Sequence, residues 1–303
     1  MKQFDPDKYK IFECITGSVL YGTNTPESDV DKRGICLPPM EILIDPFMSF
    51  NVKDSFEGED RAIYDLGKFF ELCSQMNPNI VEMLFIPEDK IVFQNATWKY
   101  VLEHKELFLS KKARHTFTGY SISQLKAIIR HREWFIDPPS HKPTRKEFAL
   151  SESPLVSEAN IQNMMGVPNN LFKDEHYDEL QRERRYRETK KKWDNYMQWQ
   201  TNRNPKRKAS EEKMGFDGKY ASHLFRLMEE GKELLLTGNL TFPLQNADWL
   251  LAIKNGDYTY EQILEMAWNM EKEFELWYEQ SPLPKSLNIN GLKELYFDIV
   301  LNA

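Results

Sequence analysis

Two patterning regimes divide the chain. The first hundred residues switch between short apolar runs and turn residues, whereas most of the remainder repeats its apolar positions at helical spacing. Residues 11–15 (Ile-Phe-Glu-Cys-Ile) predict a short buried strand, ended abruptly by Thr16-Gly17-Ser18. Val19, Leu20 and Tyr21 can begin a helical turn that Gly22 and Pro26 break. From Val30 to Leu37 the pattern is extended again, and Pro38-Pro39 ends it. Residues 60–64 predict a third strand. It runs into an amphipathic helix carrying Leu66, Phe69, Phe70, Leu72 and Cys73 on its apolar side. Asn77-Pro78-Asn79 stops that helix and starts the next, Ile80 to Phe85. The expectation is a compact α/β unit over about the first hundred residues, with helices beyond it.

Residues 97–109 and 116–135 both predict helices. The stretch 137–216 differs in kind: it holds Pro138-Pro139, Pro143, Pro154 and Pro168, then a charged block from Asp174 to Lys192. It reads as a partly irregular insertion carrying a long charged helix, with Arg203 to Lys208 as an exposed loop. Regular helices return over 217–236, 246–254, 259–280 and 290–301, the last started by Asn288-Ile289-Asn290-Gly291. The resulting division is 1–110 for the α/β domain and 111–303 for a mainly helical domain containing the insertion.

Bulk properties narrow the function classes. Hydrophobic residues make up 41% of the 303 positions, enough for a sizeable core, and charged residues 29%. The net charge of −7 excludes a uniformly basic nucleic-acid binder, so any polyanion contact has to come from a local patch. Cys14, Cys36 and Cys73 are widely spaced, without a CxxC or Cys/His pairing, which argues against disulfides and structural zinc. No apolar run is long enough for a signal peptide or a membrane span, so a cytoplasmic location is expected. P-loop, dinucleotide-binding and GxSxG patterns are missing from the sequence, and Asp29-x-Asp31-x-Arg33 lacks the glycine and distant glutamate of a calcium loop.

The informative segment is Gly17-Ser18, then a gap, then Ser28-Asp29-Val30-Asp31. A glycine-serine pair closing a buried strand offers backbone N–H groups and a hydroxyl to a phosphate. Asp29 and Asp31 are two apart, so on an extended segment both carboxylates face one way. Adjacent carboxylates are costly unless a cation neutralises them, and hard oxygen donors suit Mg²⁺. Either half alone reads as a tight turn or a solvated acidic edge; it is their combination that points to chemistry.

The segment GSxxYGTxxPxSDxDxRG resembles the signature of the DNA polymerase β nucleotidyltransferase superfamily, in particular a bacterial and phage branch with some RNA-repair-associated members. The similarity extends through Asp60 to Phe69, Asn77-Pro78-Asn79 with Glu82, Gly218 to Leu227, and Leu283-Pro284. The resemblance implies an α/β (α+β) fold, a mixed sheet with helices, followed by a mainly helical domain that closes over the base. It implies transfer of a nucleoside monophosphate from an NTP to an acceptor hydroxyl. Gly17 and Ser18 would hold the triphosphate, and Asp29 and Asp31 would ligate two Mg²⁺ ions, for which Mn²⁺ can substitute. A third carboxylate is implied on a neighbouring strand: Asp60, with Asp65 as the alternative. Lys219, His223 and Arg226, at i, i+4 and i+7 on one helix face, are candidates for a phosphate clamp, or else a solvated face. Lys68 and Arg33 are weaker candidates of the same kind.

The acceptor stays open between an RNA 3′ end, tRNA-like, and a protein or small-molecule hydroxyl. The basic runs Arg182 to Lys192 and Arg203 to Lys208 tip the balance towards RNA. Trp193, Tyr196 and Trp199, at helical spacing, suit either base stacking or a core. A rival of another class is a non-catalytic nucleotide-binding protein with the same fold.

Overall fold

The computed structural model describes residues 4–302 apart from 46, 48, 49, 55, 57, 153–173 and 204. The chain forms two compact units, one of residues 1–128 with 217–303, the other of residues 129–216. This differs from the expected division near residue 110. The C-terminal helices belong to the unit that holds the sheet, and the second unit nearly coincides in sequence with the stretch read as an insertion.

The first unit is built on a five-stranded mixed sheet of order β3-β4-β2-β1-β5. Its strands are β1 (Lys10–Thr16), β2 (Asp31–Cys36), β3 (Val52–Lys53), β4 (Arg61–Asp65) and β5 (Ile91–Gln94). β1 pairs antiparallel with both β2 and β5, while β2 and β4 run parallel. Phe12, Ile35, Ile63, Leu66, Phe69, Trp98 and Phe108 are fully or almost fully buried around this sheet. Each such side chain adds roughly 1.5–3 kcal/mol of burial free energy. Burial rises along β2, from half-buried Asp31-Lys32-Arg33 to buried Gly34-Ile35-Cys36. One end of the central strand is therefore polar and reaches the surface. Gly34 lets the strands approach, since a Cβ there would lie 3.1 Å from the Phe12 carbonyl oxygen and 3.3 Å from Ile63.

Around the sheet lie α1 (Gly17–Tyr21), α2 (Met40–Leu43), α3 (Leu66–Ser74), α4 (Pro78–Val81), α5 (Ala96–Glu103) and the start of α6 (Ala113–Ile136). The expected helix 97–109 stops at Glu103, and a 3-10 turn (Lys105–Phe108) follows. Likewise the helix expected over 80–85 divides into α4 and a 3-10 turn, Glu82–Phe85.

The second unit contains the end of α6, α7 (Asp174–Asn202) and α8 (Pro205–Met214). His131, Trp134, Tyr196 and Trp199 pack ring against ring in it, with centroids 5.2–6.0 Å apart. Trp193 packs against Tyr196. These aromatics make its core. Of the loop expected over Arg203 to Lys208, the part from Pro205 is instead the start of α8, with Pro205 at its first position, and Asn204 lies outside the described residues. Arg203 donates to Glu211 and Glu212 at 2.7 and 3.2 Å and lies over the Phe135 and Trp199 rings. The basic run on α7 is partly neutralised: Arg145 and Arg187 both donate to Glu183, and Arg184 to Glu188.

The C-terminal helices of the first unit are α9 (Gly218–Thr237), α10 (Ala247–Asn255), α11 (Tyr260–Gln280) and α12 (Ile289–Asn302). Asp217 caps α9 by accepting from the Lys219 N–H at 2.9 Å. Thr259 and Gln262 form a capping box on α11. No helix among the described residues is long and apolar enough to cross a membrane.

Candidate active site

β1 ends at Thr16, and the chain turns at Gly17 with φ +66° into the short helix α1. Glycine is required there for two reasons. The conformation is left-handed, and a Cβ would overlap the Asp31 carboxylate, lying 2.8 Å from its Cγ. Gly22, also left-handed, ends α1 by donating its N–H to the Ser18 carbonyl. The following loop is closed by Thr25 and Ser28: the Thr25 N–H donates to Ser28 Oγ, and the Ser28 N–H to the Thr25 carbonyl, each at 2.9 Å. Asp31 then opens β2 directly opposite Thr16, so the two side chains share a face of the sheet.

Asp60 completes the pair. It precedes β4, whose parallel pairing with β2 is extended by a hydrogen bond from the Lys32 N–H to the Asp60 carbonyl at 2.8 Å. This register brings the Asp60 carboxyl group close beside that of Asp31. Burial pushes Asp31 up to about 6, reinforced by the charge and hydrogen bond of Asp60 and opposed by Arg33 and Lys219. Two carboxylates held together at such an electrostatic cost suit a small divalent cation. Nearby Thr16 Oγ1 is buried without a hydrogen-bond partner among the described residues, a further hard oxygen on the same face.

The other candidate acids are held differently. Asp29 is exposed in the segment before β2, two residues short of the strand, so strand pairing does not hold it as it holds Asp31. No group of three or more His, Cys, Asp or Glu among the described residues is arranged to hold a metal ion. Asp65 stands at the far end of β4 and caps α3, accepting from the Gly67 and Lys68 N–H groups at 2.6 and 3.1 Å. Five residues of strand put it on the order of 16 Å from Asp60. Of the two alternatives, only Asp60 adjoins Asp31.

The expected cationic stripe on α9 separates into three different environments. Lys219 is exposed in the first turn, close enough to Asp31 to favour its ionised form. His223 is half-buried, and burial, then the charges of Arg226 and Lys219, holds its imidazole down at about 3. It is therefore neutral at physiological pH. Arg226 is buried and committed to carboxylates: it donates to Glu230 at 2.7 and 2.9 Å and to Glu82 at 3.4 Å. It also lies over the Tyr21 ring, 4.2 Å from the centroid, while Tyr21 Oη donates to Glu82 at 2.9 Å. An open face of three cations is thus replaced by one exposed lysine, a neutral imidazole and a buried ion cluster. Arg33 donates to the Asn79 carbonyl at 3.2 Å, and Lys68 forms a surface pair with Glu71.

Sequence reasoning passed over Glu230, although its place four residues after Arg226 on a helix was a signal for pairing. Thr16 could not have been singled out, since its orphaned hydroxyl is a consequence of tertiary burial.

The profile of the RNA repair pathway DNA polymerase beta family matches residues 7–137. That span holds Gly17, Ser18, Asp29, Asp31 and Asp60. Among curated proteins, the chain is similar to an uncharacterised 38.9 kDa protein from the nrdC–mobD intergenic region of Enterobacteria phage T4. The two are 27% identical over 82% of this chain and 83% of the phage protein. No solved structure gives a significant match. The match over residues 7–137, together with the mixed sheet and the Gly-Ser turn beside its acidic strand, supports a DNA polymerase β-like nucleotidyltransferase fold.

Proposed function

We propose that the protein transfers a nucleoside monophosphate from an NTP to an acceptor hydroxyl in a Mg²⁺-dependent reaction that releases pyrophosphate, with an RNA 3′ end as acceptor. The observation that carries this reading is the pairing of Asp31 with Asp60 directly against Gly17. The donor set fits a divalent cation: two hard carboxylates close beside each other, an unpartnered threonine hydroxyl beside them, and the exposed carboxylate of Asp29 two residues away in sequence. When bound, such a cation neutralises the acids and polarises the phosphoryl oxygens.

The chain's own groups do the rest. Gly17 leaves the room that the Asp31 carboxylate occupies, and the Gly17-Ser18 turn offers N–H and hydroxyl groups to the triphosphate. Lys219, exposed and near Asp31, adds a positive charge where phosphate oxygens would gather. The RNA acceptor is supported by the description of the matching family and by the exposed Arg185, Lys191 and Lys192 on α7.

The exposure of Asp29, outside strand β2, and the lack among the described residues of a group of three acids arranged around a metal favour a second reading, a nucleotide-binding protein without catalysis. Thermal-shift measurements with each NTP, with and without Mg²⁺, separate the two. The enzyme reading predicts stabilisation that needs the metal and disappears in Asp31→Asn/Asp60→Asn. Stabilisation by nucleotide alone, unchanged in that variant, supports the second.

A further inference from the structure

His223 and Arg226 share one face of α9, and their contact fixes which nitrogen of the imidazole carries a proton. The Arg226 Nη2 lies 3.0 Å from His223 Nδ1, and Nε lies 3.4 Å from the same atom. A guanidinium only donates, so Nδ1 has to be the acceptor. The imidazole is then neutral, with its single N–H at Nε2.

Arg226 is itself held on several sides. Both Glu230 oxygens, Glu82, Asn79 Oδ1 and the Tyr21 ring surround it. Glu230 and Glu82 are wholly buried side chains, and Tyr21 Oη fixes the second of them. The guanidinium has no freedom to turn away from His223 without leaving a buried carboxylate unpaired.

We propose that His223 presents its Nε2–H as a neutral hydrogen-bond donor to a phosphate oxygen of the bound nucleotide, and that Arg226 is the positioning residue that locks this tautomer. The inference rests on the nucleotidyltransferase reading and deepens it, by dividing the work on α9. Lys219, one helical turn before His223, supplies charge, and the imidazole supplies direction. A second full charge at position 223 would stand between Arg226 and Lys219, which is why the neutral form prevails there.

The test uses the full-length protein and two readouts. In two-bond ¹H–¹⁵N correlation spectra at neutral pH, the resonance lost in His223→Gln is expected to be that of a neutral imidazole protonated at Nε2. An imidazolium or an Nδ1–H pattern overturns the inference. In titrations with ATP and the three other ribonucleoside triphosphates, His223→Ala is expected to weaken binding by about tenfold to 100-fold, the scale of one hydrogen bond to a charged acceptor. His223→Gln, whose amide N–H reaches the place of Nε2–H, is expected to recover most of that loss.

A purely structural histidine would not separate Gln from Ala in affinity. Equal affinity of His223→Ala and the wild type overturns this inference alone. A wild-type protein that binds no NTP overturns the nucleotidyltransferase reading and this inference with it, while the tautomer spectrum still reports separately on the Arg226 lock.

Discussion

Gly17→Ala isolates the geometry on which the site depends. Two effects follow from the structure. Alanine at φ +66° carries a backbone penalty of about 1–2 kcal/mol. The new Cβ also overlaps the Asp31 carboxylate, 2.8 Å from its Cγ, so the carboxylate has to swing away. A side-chain end moves cheaply in stability terms, but a misplacement of about 1 Å at a reacting centre costs on the order of 100-fold in rate. Gly58→Ala is the control: its φ is +75° and a Cβ there meets nothing within 4 Å. It therefore carries the backbone term without touching Asp31.

Both variants are expected to lose about 2–8 °C in Tm, given roughly 2–4 °C per kcal/mol for a unit of this size. Only Gly17→Ala is expected to lose about 100-fold in single-turnover nucleotidyl transfer. Gly17→Ala with the same transfer rate as Gly58→Ala would refute the reasoning, because the contact between Gly17 and Asp31 would then have no part in the chemistry.

Other variants probe the frame around the site. Arg226→Met leaves Glu82 and Glu230 buried without their cation and is expected to destabilise by about 3–5 kcal/mol in urea unfolding, with Arg226→Met/Glu230→Leu recovering part of it. A loss below about 1 kcal/mol would contradict the ion-cluster account. Gly231→Ala sets a Cβ 2.9 Å from the Phe117 Cβ and 3.0 Å from the Phe274 ring. Overpacking by about 1–3 kcal/mol should outweigh the helix-propensity gain of about 1 kcal/mol, so a stabilised variant would contradict the packing described.

In the second unit, burial and then the charges of Arg130 and Arg203 hold His131 down at about 4, against 6.5 for a free imidazole. The unfolded chain therefore binds the proton first as pH falls. Stability is complete above 6.5 and is lost as pH drops through 4, by at most about 3 kcal/mol. Urea titrations followed by tryptophan fluorescence should show this acid limb in the wild type and a shallower one in His131→Phe; identical pH dependence in the two would contradict it.

The parts of the fold legible in the sequence were those whose cause is local. β1, β2 and β4 were marked by apolar runs ended by Thr16-Gly17, Pro38-Pro39 and the start of α3, and they appear within a residue or two of their expected bounds. The edge strands β3 and β5 were not legible: at two and four residues, mostly exposed or half-buried, they exist through pairing with β4 and β1 rather than through pattern. The adjacency of Asp60 to Asp31 could be expected only through family resemblance, since it arises from the parallel register of β4 on β2.

Helical spacing placed Lys219, His223 and Arg226 on one face, but spacing does not report depth. The three differ because Glu82 and Glu230 draw Arg226 inward while Lys219 sits at the solvated helix start. The aromatics of α7 show the same limit, since a stripe suited to bases is also a stripe suited to a core, and packing against Trp134 and His131 made it the latter.

Nucleotidyl transfer at the Asp31–Asp60 pair is decided by the fate of two labels. The protein is incubated with Mg²⁺, RNA bearing a free 3′ hydroxyl, and each NTP labelled on either the α- or the γ-phosphate. The expected result is that α-label becomes covalently attached to RNA, that γ-label is released in pyrophosphate, and that Asp31→Asn abolishes both. Attachment of γ-label, or undiminished transfer of α-label by Asp31→Asn, would contradict it.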